Sequence, residues 1–218
     1  MRKRKSNVWL EQELNKIKDE GRLPRLLLHA CCAPCSSYVL EYLSDFFEIT
    51  LFYYNPNITP ESEYDFRVAE LKRLTQEMPL PRVPEVIVAP YDPHEFFEVT
   101  QGMESFSEGK GRCALCYRLR LEKTAQKAIE GGYDYFCTTL TVGRLKRADW
   151  LNEIGLSLEK KYGVKYLESD FKKKDGNKRS CELSVEYGLY RQEYCGCEFS
   201  KKEAEEKKNK KKEQEKVK

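Results

Sequence analysis

Seven of the nine cysteines fall into three short groups, and these groups carry the strongest chemical signal in the sequence. The groups are Cys31–Cys35, with three cysteines, and Cys113–Cys116 and Cys195–Cys197, with two each. Thiolates at these spacings bind soft metal ions or exchange disulfides, and four of them suit either a tetrahedral zinc ion or an iron–sulfur cluster. The spacing alone does not separate the two metals. Cys137 and Cys181 stand outside the groups, and we predict that both are packed as small apolar side chains.

Length and composition predict a single cytoplasmic domain. A chain of 218 residues suits one domain with a sizeable core. No stretch approaches the ~18 uninterrupted apolar residues of a membrane-spanning helix, and the basic start Met1–Lys5 leads into a polar segment rather than a secretory signal. Because cytoplasmic thiols are kept reduced, a structural disulfide framework is disfavoured, and metal binding or redox catalysis becomes the leading explanation for the cysteines. We expect no membrane partner.

Short apolar runs alternate with amphipathic stretches from Arg22 onward, which indicates strands that alternate with helices. Because helices of this length separate the strands, crossover connections are needed, and the sequence predicts a mainly parallel, three-layer α/β sheet. We classify the fold as a single Rossmann-like (HUP-like) domain. The predicted strands are Leu26–His29, Ile49–Tyr54, Val86–Ala89, Tyr135–Thr141 and Val164–Leu167. The predicted helices are Ser36–Phe47, Pro60–Met78 with Thr59 as its N-cap, a segment from about Arg112 to Gly131, and one from about Leu145 to Tyr162.

The basic excess is concentrated at the two ends of the chain. The formal net charge is +3, and the tail 201–218 holds nine lysines against five glutamates, a net of +4, so residues 1–200 carry 3 − 4 = −1. We divide the chain into an N-terminal helical extension over residues 1–21, a catalytic α/β domain over residues 22–200 and the Lys/Glu-rich tail. A tail of this composition is expected to be disordered or partly helical, and its lysines also suit attraction to phosphate groups.

The position of the first cysteine group favours a functional site over a structural one. Ligands in parallel α/β sheets bind beyond the carboxyl ends of the strands, and Cys31–Cys35 directly follows the predicted strand Leu26–His29. Structural zinc is the simplest alternative, since Cys32–Cys35 and Cys113–Cys116 both have zinc-ligand spacing, but it uses only four cysteines and stabilises small domains that lack a core. Thioredoxin-like exchange at Cys32–Cys35 needs one dithiol and leaves the other groups unexplained.

Five short motifs connect the cysteine groups with the rest of the chain. They are His29-Ala-Cys-Cys-Ala-Pro-Cys35, Tyr53-Tyr-Asn-Pro-Asn57, Arg112-Cys-Ala-Leu-Cys116, Phe171-Lys-Lys-Lys-Asp-Gly176 and Tyr187-Gly-Leu-Tyr-Arg-Gln-Glu-Tyr-Cys-Gly-Cys197. In this combination and order they resemble the QueH family of epoxyqueuosine reductases. The resemblance spans about Leu23 to Ser200 and leaves only the two charged ends outside it.

The resemblance implies an oxidoreductase with an iron–sulfur centre and a separate redox-active cysteine pair. The implied reaction is the last step of queuosine synthesis in tRNA, in which the epoxide of epoxyqueuosine is reduced and deoxygenated to give queuosine. The implied ligands of a [4Fe–4S] cluster are Cys31, Cys32, Cys113 and Cys116, and the implied redox-active pair is Cys195 and Cys197. Whether this pair forms a disulfide couple or binds an additional iron ion near Cys35 stays open.

The chemistry of this reaction is consistent with those parts. Turning an epoxide into an alkene takes two electrons and two protons and releases water. A cluster passes electrons singly, whereas a dithiol gives up two at once. The implied partners are tRNA that carries epoxyqueuosine in its anticodon loop and an electron donor that the sequence does not identify. The alternative from another functional class is a zinc-stabilised RNA-binding module without redox activity.

Two histidines and an aspartate near the predicted site have several possible roles. Asp92 or His94 could donate a proton or bind a metal, although Asp92 also suits a helix cap before Pro93. His29 ends a predicted strand beside the first cysteine group and suits a packed or supporting role rather than metal ligation.

Aromatic and basic side chains at the same predicted edge are candidates for contacts with RNA. Tyr53, Tyr54 and Asn57 either stack on a splayed base or belong to the core. Basic residues that follow two predicted strands could bind phosphates, although each one taken alone reads as an ordinary exposed charge. These residues are Arg144, Lys146, Arg147, Lys172, Lys173, Lys174, Lys178 and Arg179.

Overall fold

The computed structural model describes residues 6–216, and its framework is a five-stranded parallel sheet. The strands are β1 Arg25–His29, β2 Glu48–Tyr53, β3 Glu85–Val88, β4 Tyr135–Thr138 and β5 Lys165–Tyr166. Their order is β3-β2-β1-β4-β5, so the direction in which the chain adds strands reverses between β1 and β4. Parallel α/β sheets bind ligands outside the strand ends at such a point.

Helices connect the strands and cover both faces of the sheet. In the described part of the chain they are α1 Ser6–Asp19, α2 Ala33–Leu43, α3 Glu61–Glu77, α4 His94–Thr100, α5 Gly111–Glu130, α6 Ala148–Tyr162, α7 Gly176–Glu186 and α8 Glu198–Lys216. A 3₁₀ turn over Thr139–Val142 follows β4 directly. The helices α2 and α6 begin three residues before and three residues after their predicted starts, respectively.

The core consists of two apolar layers, one on each face of the sheet. Successive side chains of a strand point to opposite faces, so Leu26 and Leu28 enter one layer and Leu27 enters the other. The helices α1, α2 and α3 contribute to the first layer, and α5 and α6 contribute to the second. The predicted single, three-layer Rossmann-like domain is therefore confirmed.

Both ends of the chain are helical where the structure describes them. The helix α1 lies in the predicted N-terminal extension, and it buries Trp9, Leu14 and Ile17 in the first core layer, so it belongs to the domain core. The tail, for which disorder or partial helix was expected, is covered by α8, and lysine and glutamate are good helix formers. No helix within residues 6–216 is long and apolar enough to cross a membrane.

Two local predictions differ from the structure. The strand β4 ends at Thr138 instead of continuing, because Thr138 Oγ1 accepts a hydrogen bond of 3.1 Å from Leu140 N and closes the 3₁₀ turn. Thr59 is not the cap of α3, because Pro60 takes the N-cap position without a side-chain hydrogen bond. Thr59 N instead donates to the carbonyl of Gly196, at 3.1 Å, which ties this loop to the third cysteine group.

Candidate active site

The first cysteine group lies at the carboxyl end of β1, in the turn into α2. The sulfur atoms of Cys31, Cys32 and Cys35, here called the cysteine triad, lie within 4.8 Å of one another. Cys31 Sγ and Cys32 Sγ are 3.7 Å apart, and Thr139 Oγ1 donates to Cys31 Sγ at 3.3 Å. Within residues 6–216 it is the one group of three or more His, Cys, Asp or Glu side chains that converges in this way. The triad is therefore the strongest single metal-binding candidate.

The second and third cysteine groups line one small pocket. Cys113 and Cys116 lie at the start of α5, and Cys195 and Cys197 directly precede α8. Cys195 Sγ and Cys197 Sγ are 3.6 Å apart, and Cys195 Sγ lies 3.1 Å from Ser200 Oγ. The two groups are distant in sequence, and the fold brings them together.

A larger cavity of about 490 Å³ connects the two sets of thiols. It lies between the segments that follow β1 and β4, and the cysteine triad and Cys195 form part of its wall. Cys195 lines the small pocket as well. The predicted cluster ligands Cys113 and Cys116 stand outside the triad, whereas Cys35, which was expected only near a possible additional iron ion, belongs to it. The structure thus gathers all seven clustered cysteines around two cavities, and Cys195 lines both of them.

Close packing of the thiols separates their pKa values. In the triad, hydrogen bonding with Cys31 lowers the pKa of Cys32 well below its usual value and raises the pKa of Cys35. In the third group, hydrogen bonding with Cys197 lowers the pKa of Cys195 well below its usual value, and the pKa of Cys197 rises in turn. A thiolate is the form that binds metals and attacks disulfides, so each set presents one favoured thiolate, at Cys32 and at Cys195.

A buried guanidinium lies beside the thiols of both sets. Arg120 is 4 % exposed, its Nη1 lies 3.9 Å from Cys116 Sγ, and it lines both the large cavity and the small pocket. Its Nε lies 3.3 Å from His29 Nε2, and its Nη2 donates to Asn55 Oδ1. Burial, followed by the charge of Arg120, lowers the pKa of His29 well below its usual value. His29 is therefore neutral and supports Arg120, which matches the supporting role expected for it.

Several of the weaker candidate residues have structural roles. Asp92 Oδ1 accepts a hydrogen bond of 2.9 Å from His94 N, the first residue of α4, but the N-cap position is taken by Pro93. The helix-cap interpretation therefore holds only in part, because Asp92 supports the helix start from one residue before the cap. Tyr53, Tyr54 and Asn57 are buried, so the core interpretation holds for them rather than an exposed stacking surface.

The two isolated cysteines differ in their surroundings. Cys137 is fully buried in β4, its thiol donates to the carbonyl of Leu167 at 3.2 Å, and burial raises its pKa to about 12. This confirms the packing prediction. Cys181 on α7 is only partly buried, so the prediction holds for it in part.

Most of the basic residues that were candidates for phosphate contacts are paired within the chain. Lys146 is largely buried and forms an ion pair of 2.6 Å with Glu108 in the wall of the large cavity. Arg147 pairs with Asp149, Lys172 and Lys173 with Asp170, Lys174 with Glu11, and Arg179 with Glu41. Arg144 is exposed at the cavity, and none of the described residues forms an ion pair with it. Among the basic residues singled out in the sequence, it is the exposed side chain without an ion pair to a described residue that lines the large cavity.

Three site residues were missed by sequence reasoning. Arg120 had a usable signal, because it lies four residues after Cys116 and therefore on the same face of the predicted helix. Thr139 and Glu108 had none, because their contacts join segments that are distant in sequence.

The fold and the site together define a class of protein. A parallel α/β sheet whose topological switch point carries a thiol-lined cavity and a buried cation is the arrangement of a cysteine-based redox or metal enzyme. A family model described as "Epoxyqueuosine reductase QueH" matches residues 26–203. The chain belongs to this family, and it is an oxidoreductase.

Curated relatives agree with this assignment. The chain is 42% identical over 194 residues to an epoxyqueuosine reductase QueH of Streptococcus pyogenes serotype M1, covering 88% of this chain and 76% of the relative. It is 40% identical over 195 residues to that of Staphylococcus epidermidis, covering 88% and 82%. It is 36% identical over 203 residues to that of Haemophilus influenzae, covering 90% and 81%. An RNA-binding module without redox activity finds no support in these relatives.

Proposed function

We propose that this chain reduces the epoxide of epoxyqueuosine in tRNA, which yields queuosine and completes its synthesis. The observation that carries the proposal is the position of Cys195, which lines both the large cavity and the small pocket of Cys113 and Cys116. A substrate in the cavity would lie beside a thiol of the third group and beside the cysteine triad. The names of the relatives, which are epoxyqueuosine reductases, support this substrate.

A [4Fe–4S] cluster fits the donor chemistry of the site. The thiols are buried or partly buried, and the Arg120 guanidinium would balance the negative charge of a metal–thiolate centre. Such a cluster would supply electrons one at a time. The residues that would hold it are Cys31, Cys32, Cys113 and Cys116. In the alternative in which the third group binds metal instead of cycling as a dithiol, an additional iron ion would be held near Cys35, Cys195 and Cys197. The place of Cys35 in the triad supports a metal-binding role for it.

The proposed reaction balances with Cys195 and Cys197 as the immediate reductant. Both carbon–oxygen bonds of the epoxide break, two electrons enter the new carbon–carbon double bond, and the oxygen takes up two protons and leaves as water. The two thiols lose the same two electrons and two protons as a sulfur–sulfur bond forms between them. An external electron donor, which the sequence does not identify, then returns the pair to the dithiol.

The proposed substrate also determines the partner and the location. An anticodon-loop base can be splayed into a cavity because it is unpaired, and flanking phosphates would meet exposed basic side chains such as Arg144. A tRNA substrate agrees with the cytoplasmic location predicted from the sequence.

A single zinc ion on the cysteine triad is the competing occupant, and one sulfur–sulfur distance in the triad is compatible with it. Metal–sulfur bonds of about 2.3 Å in a tetrahedron place two ligand sulfurs about 3.8 Å apart. The distance between Cys31 Sγ and Cys32 Sγ is 3.7 Å. In that case the thiols would stabilise the domain for RNA binding without electron transfer, which family membership disfavours.

Metal analysis and turnover test these two occupants against each other. Anaerobically purified protein is expected to be brown, to contain about four irons per chain, or about five with the additional ion, and to convert epoxyqueuosine to queuosine in tRNA. The product is measured by mass spectrometry of the digested tRNA. A colourless protein with one zinc ion and no turnover would contradict the proposal.

A further inference from the structure

Arg120 is a buried cation for which the described chain supplies no carboxylate. The side chain is 4 % exposed, and its polar contacts are with His29, Asn55 and Cys116. None of the ion pairs formed within residues 6–216 includes it. A guanidinium cannot lose its proton in a protein, so it cannot avoid the cost of burial by becoming neutral.

The other two buried arginines near the cysteines differ from Arg120 in this respect. Arg67 Nη2 lies 2.7 Å from Glu63 Oε1. Arg112 Nη2 lies 3.5 Å from Glu203 Oε1. Both are as deeply buried as Arg120, so burial of arginine in this fold is otherwise accompanied by a carboxylate. The exception is the arginine that lies between the two sets of thiols.

The groups beside Arg120 that can carry the balancing negative charge are the cysteine sulfurs, as thiolates or as ligands of a bound metal. Cys116 and Cys31, once deprotonated, would exert the largest attraction on the guanidinium. These two cysteines belong to different groups, one after β1 and one in α5, and Arg120 lines the wall next to each. Its contacts with His29 and Asn55 hold the guanidinium in place between them.

We propose that Arg120 is the built-in counter-charge of the metal–thiolate centre and that it sets the reduction potential of this centre. The inference rests on the proposed function, because it requires a redox-active metal at the thiols. A fixed positive charge stabilises the reduced state, which carries one more negative charge, and so raises the reduction potential. Arg120 acts through the thiolates, so it is a positioning residue rather than a catalytic one.

The first experiment is a redox titration of the iron-loaded full chain, followed by electron paramagnetic resonance. Arg120→Met removes the charge and keeps much of the side-chain length. We expect the ratio of reduced to oxidised centre at a fixed potential to fall at least tenfold, which is about 59 mV for a one-electron couple. Arg120→Lys keeps the charge and is expected to stay within about threefold of the unchanged protein, or about 30 mV.

A second variant offsets the charge of Arg120 without replacing the arginine. Asn55→Asp replaces the amide that accepts from Arg120 by a carboxylate of nearly the same size. The new negative charge neutralises the guanidinium, so the reduction potential should fall in the same direction as in Arg120→Met. This variant keeps the proposal testable if Arg120→Met does not fold.

The matched control removes a buried arginine together with its carboxylate. Arg112 lies on the same helix as Arg120, next to Cys113, and pairs with Glu203. The double change Arg112→Met and Glu203→Gln leaves the net charge near the thiols unaltered. Its reduction potential should therefore stay within about threefold, or about 30 mV, of the unchanged protein.

Two results would overturn the inference. One is an unchanged reduction potential in whichever of Arg120→Met and Asn55→Asp fold and load iron. The other is a loss of tRNA affinity in Arg120→Met with a smaller salt dependence, which would assign the guanidinium to a phosphate of the substrate. Failure of the proposed function would look different, because the unchanged protein would then lack redox-active iron or turnover.

Discussion

Gly196, which separates Cys195 from Cys197, is the position where a small perturbation should distinguish the redox pair from the rest of the fold. Its φ of +118° lies in the region that favours glycine. A Cβ atom there would lie 2.7 Å from Ile58 Cγ1 and 3.1 Å from Arg67 Nη1. Gly196→Ala therefore adds both backbone strain and a steric clash, and the clash falls on buried side chains.

The two costs are of similar size. An unfavourable backbone conformation costs about 1–3 kcal/mol, and a methyl group forced into a filled space costs about 1–3 kcal/mol. The sum, about 2–6 kcal/mol, is a large part of the roughly 5–15 kcal/mol by which a domain is stable. If the chain instead shifts to relieve the clash, the neighbouring thiols move with it, because Cys195 and Cys197 flank the substituted residue.

Gly188→Ala is the matched control. Gly188 also has a positive φ, of +55°, but a Cβ atom there would have no heavy atom within 4 Å. Its expected cost is the backbone strain alone, about 1–2 kcal/mol. Urea unfolding followed by circular dichroism gives both free energies of unfolding, and turnover on tRNA gives the effect on the thiols.

The expected result is that Gly196→Ala is destabilised by at least about 1 kcal/mol more than Gly188→Ala and loses turnover, whereas Gly188→Ala keeps it. Equal destabilisation in the two variants, within about 0.5 kcal/mol, would refute the steric argument. Normal turnover in a destabilised Gly196→Ala would refute the link between this backbone and the thiols.

Three further predictions follow from the site. Changing Cys195 or Cys197 to Ser should lower turnover by about 100-fold or more and leave the four-iron cluster loaded. Cys181→Ser is the control, and it should change neither quantity. Loss of the cluster in either variant of the pair would show that the pair binds it. In metal-free protein, hydrogen bonding with Cys197 lowers the pKa of Cys195 well below its usual value, so more of Cys195 than of an ordinary thiol stays thiolate as the pH falls. Its alkylation by iodoacetamide, measured by mass spectrometry of the labelled peptide, should therefore slow by less than tenfold per pH unit between about pH 8 and about pH 6. A full tenfold loss per unit, which is about a hundredfold over this interval and is expected of an ordinary thiol, would contradict the shift. Arg144→Gln should weaken tRNA binding and reduce the slope of log binding constant against log salt concentration by about 0.7–0.9. Arg147→Gln should change this slope less, because Arg147 already pairs with Asp149. Equal effects of the two variants would remove Arg144 from the RNA footprint.

Local sequence patterns were sufficient for the framework of the fold. All five strands were predicted close to their observed positions, because a short apolar run marks a buried strand through the residues of that segment alone. The crossover helices then required a parallel sheet, and the position of Cys31–Cys35 after β1 located the site at the carboxyl edge. The early end of β4 was not predictable, because it depends on one hydrogen bond from Leu140 N to the side chain of Thr138.

The sequence by itself determined which residues could do the chemistry, and the tertiary structure decided how they are grouped. Cysteine spacing identified the three groups, but only packing places Cys35 with Cys31 and Cys32 and gives Cys195 a position on both cavities. Polar contacts were likewise decided in three dimensions: Lys146 pairs with Glu108, which lies 38 residues away in the sequence, and Arg120 donates to Asn55, which lies 65 residues away. The physical reason is that a sequence pattern indicates which side chains of one helix or strand are buried. Whether site residues from different helices and strands meet depends on tertiary contacts between segments that are distant in the sequence.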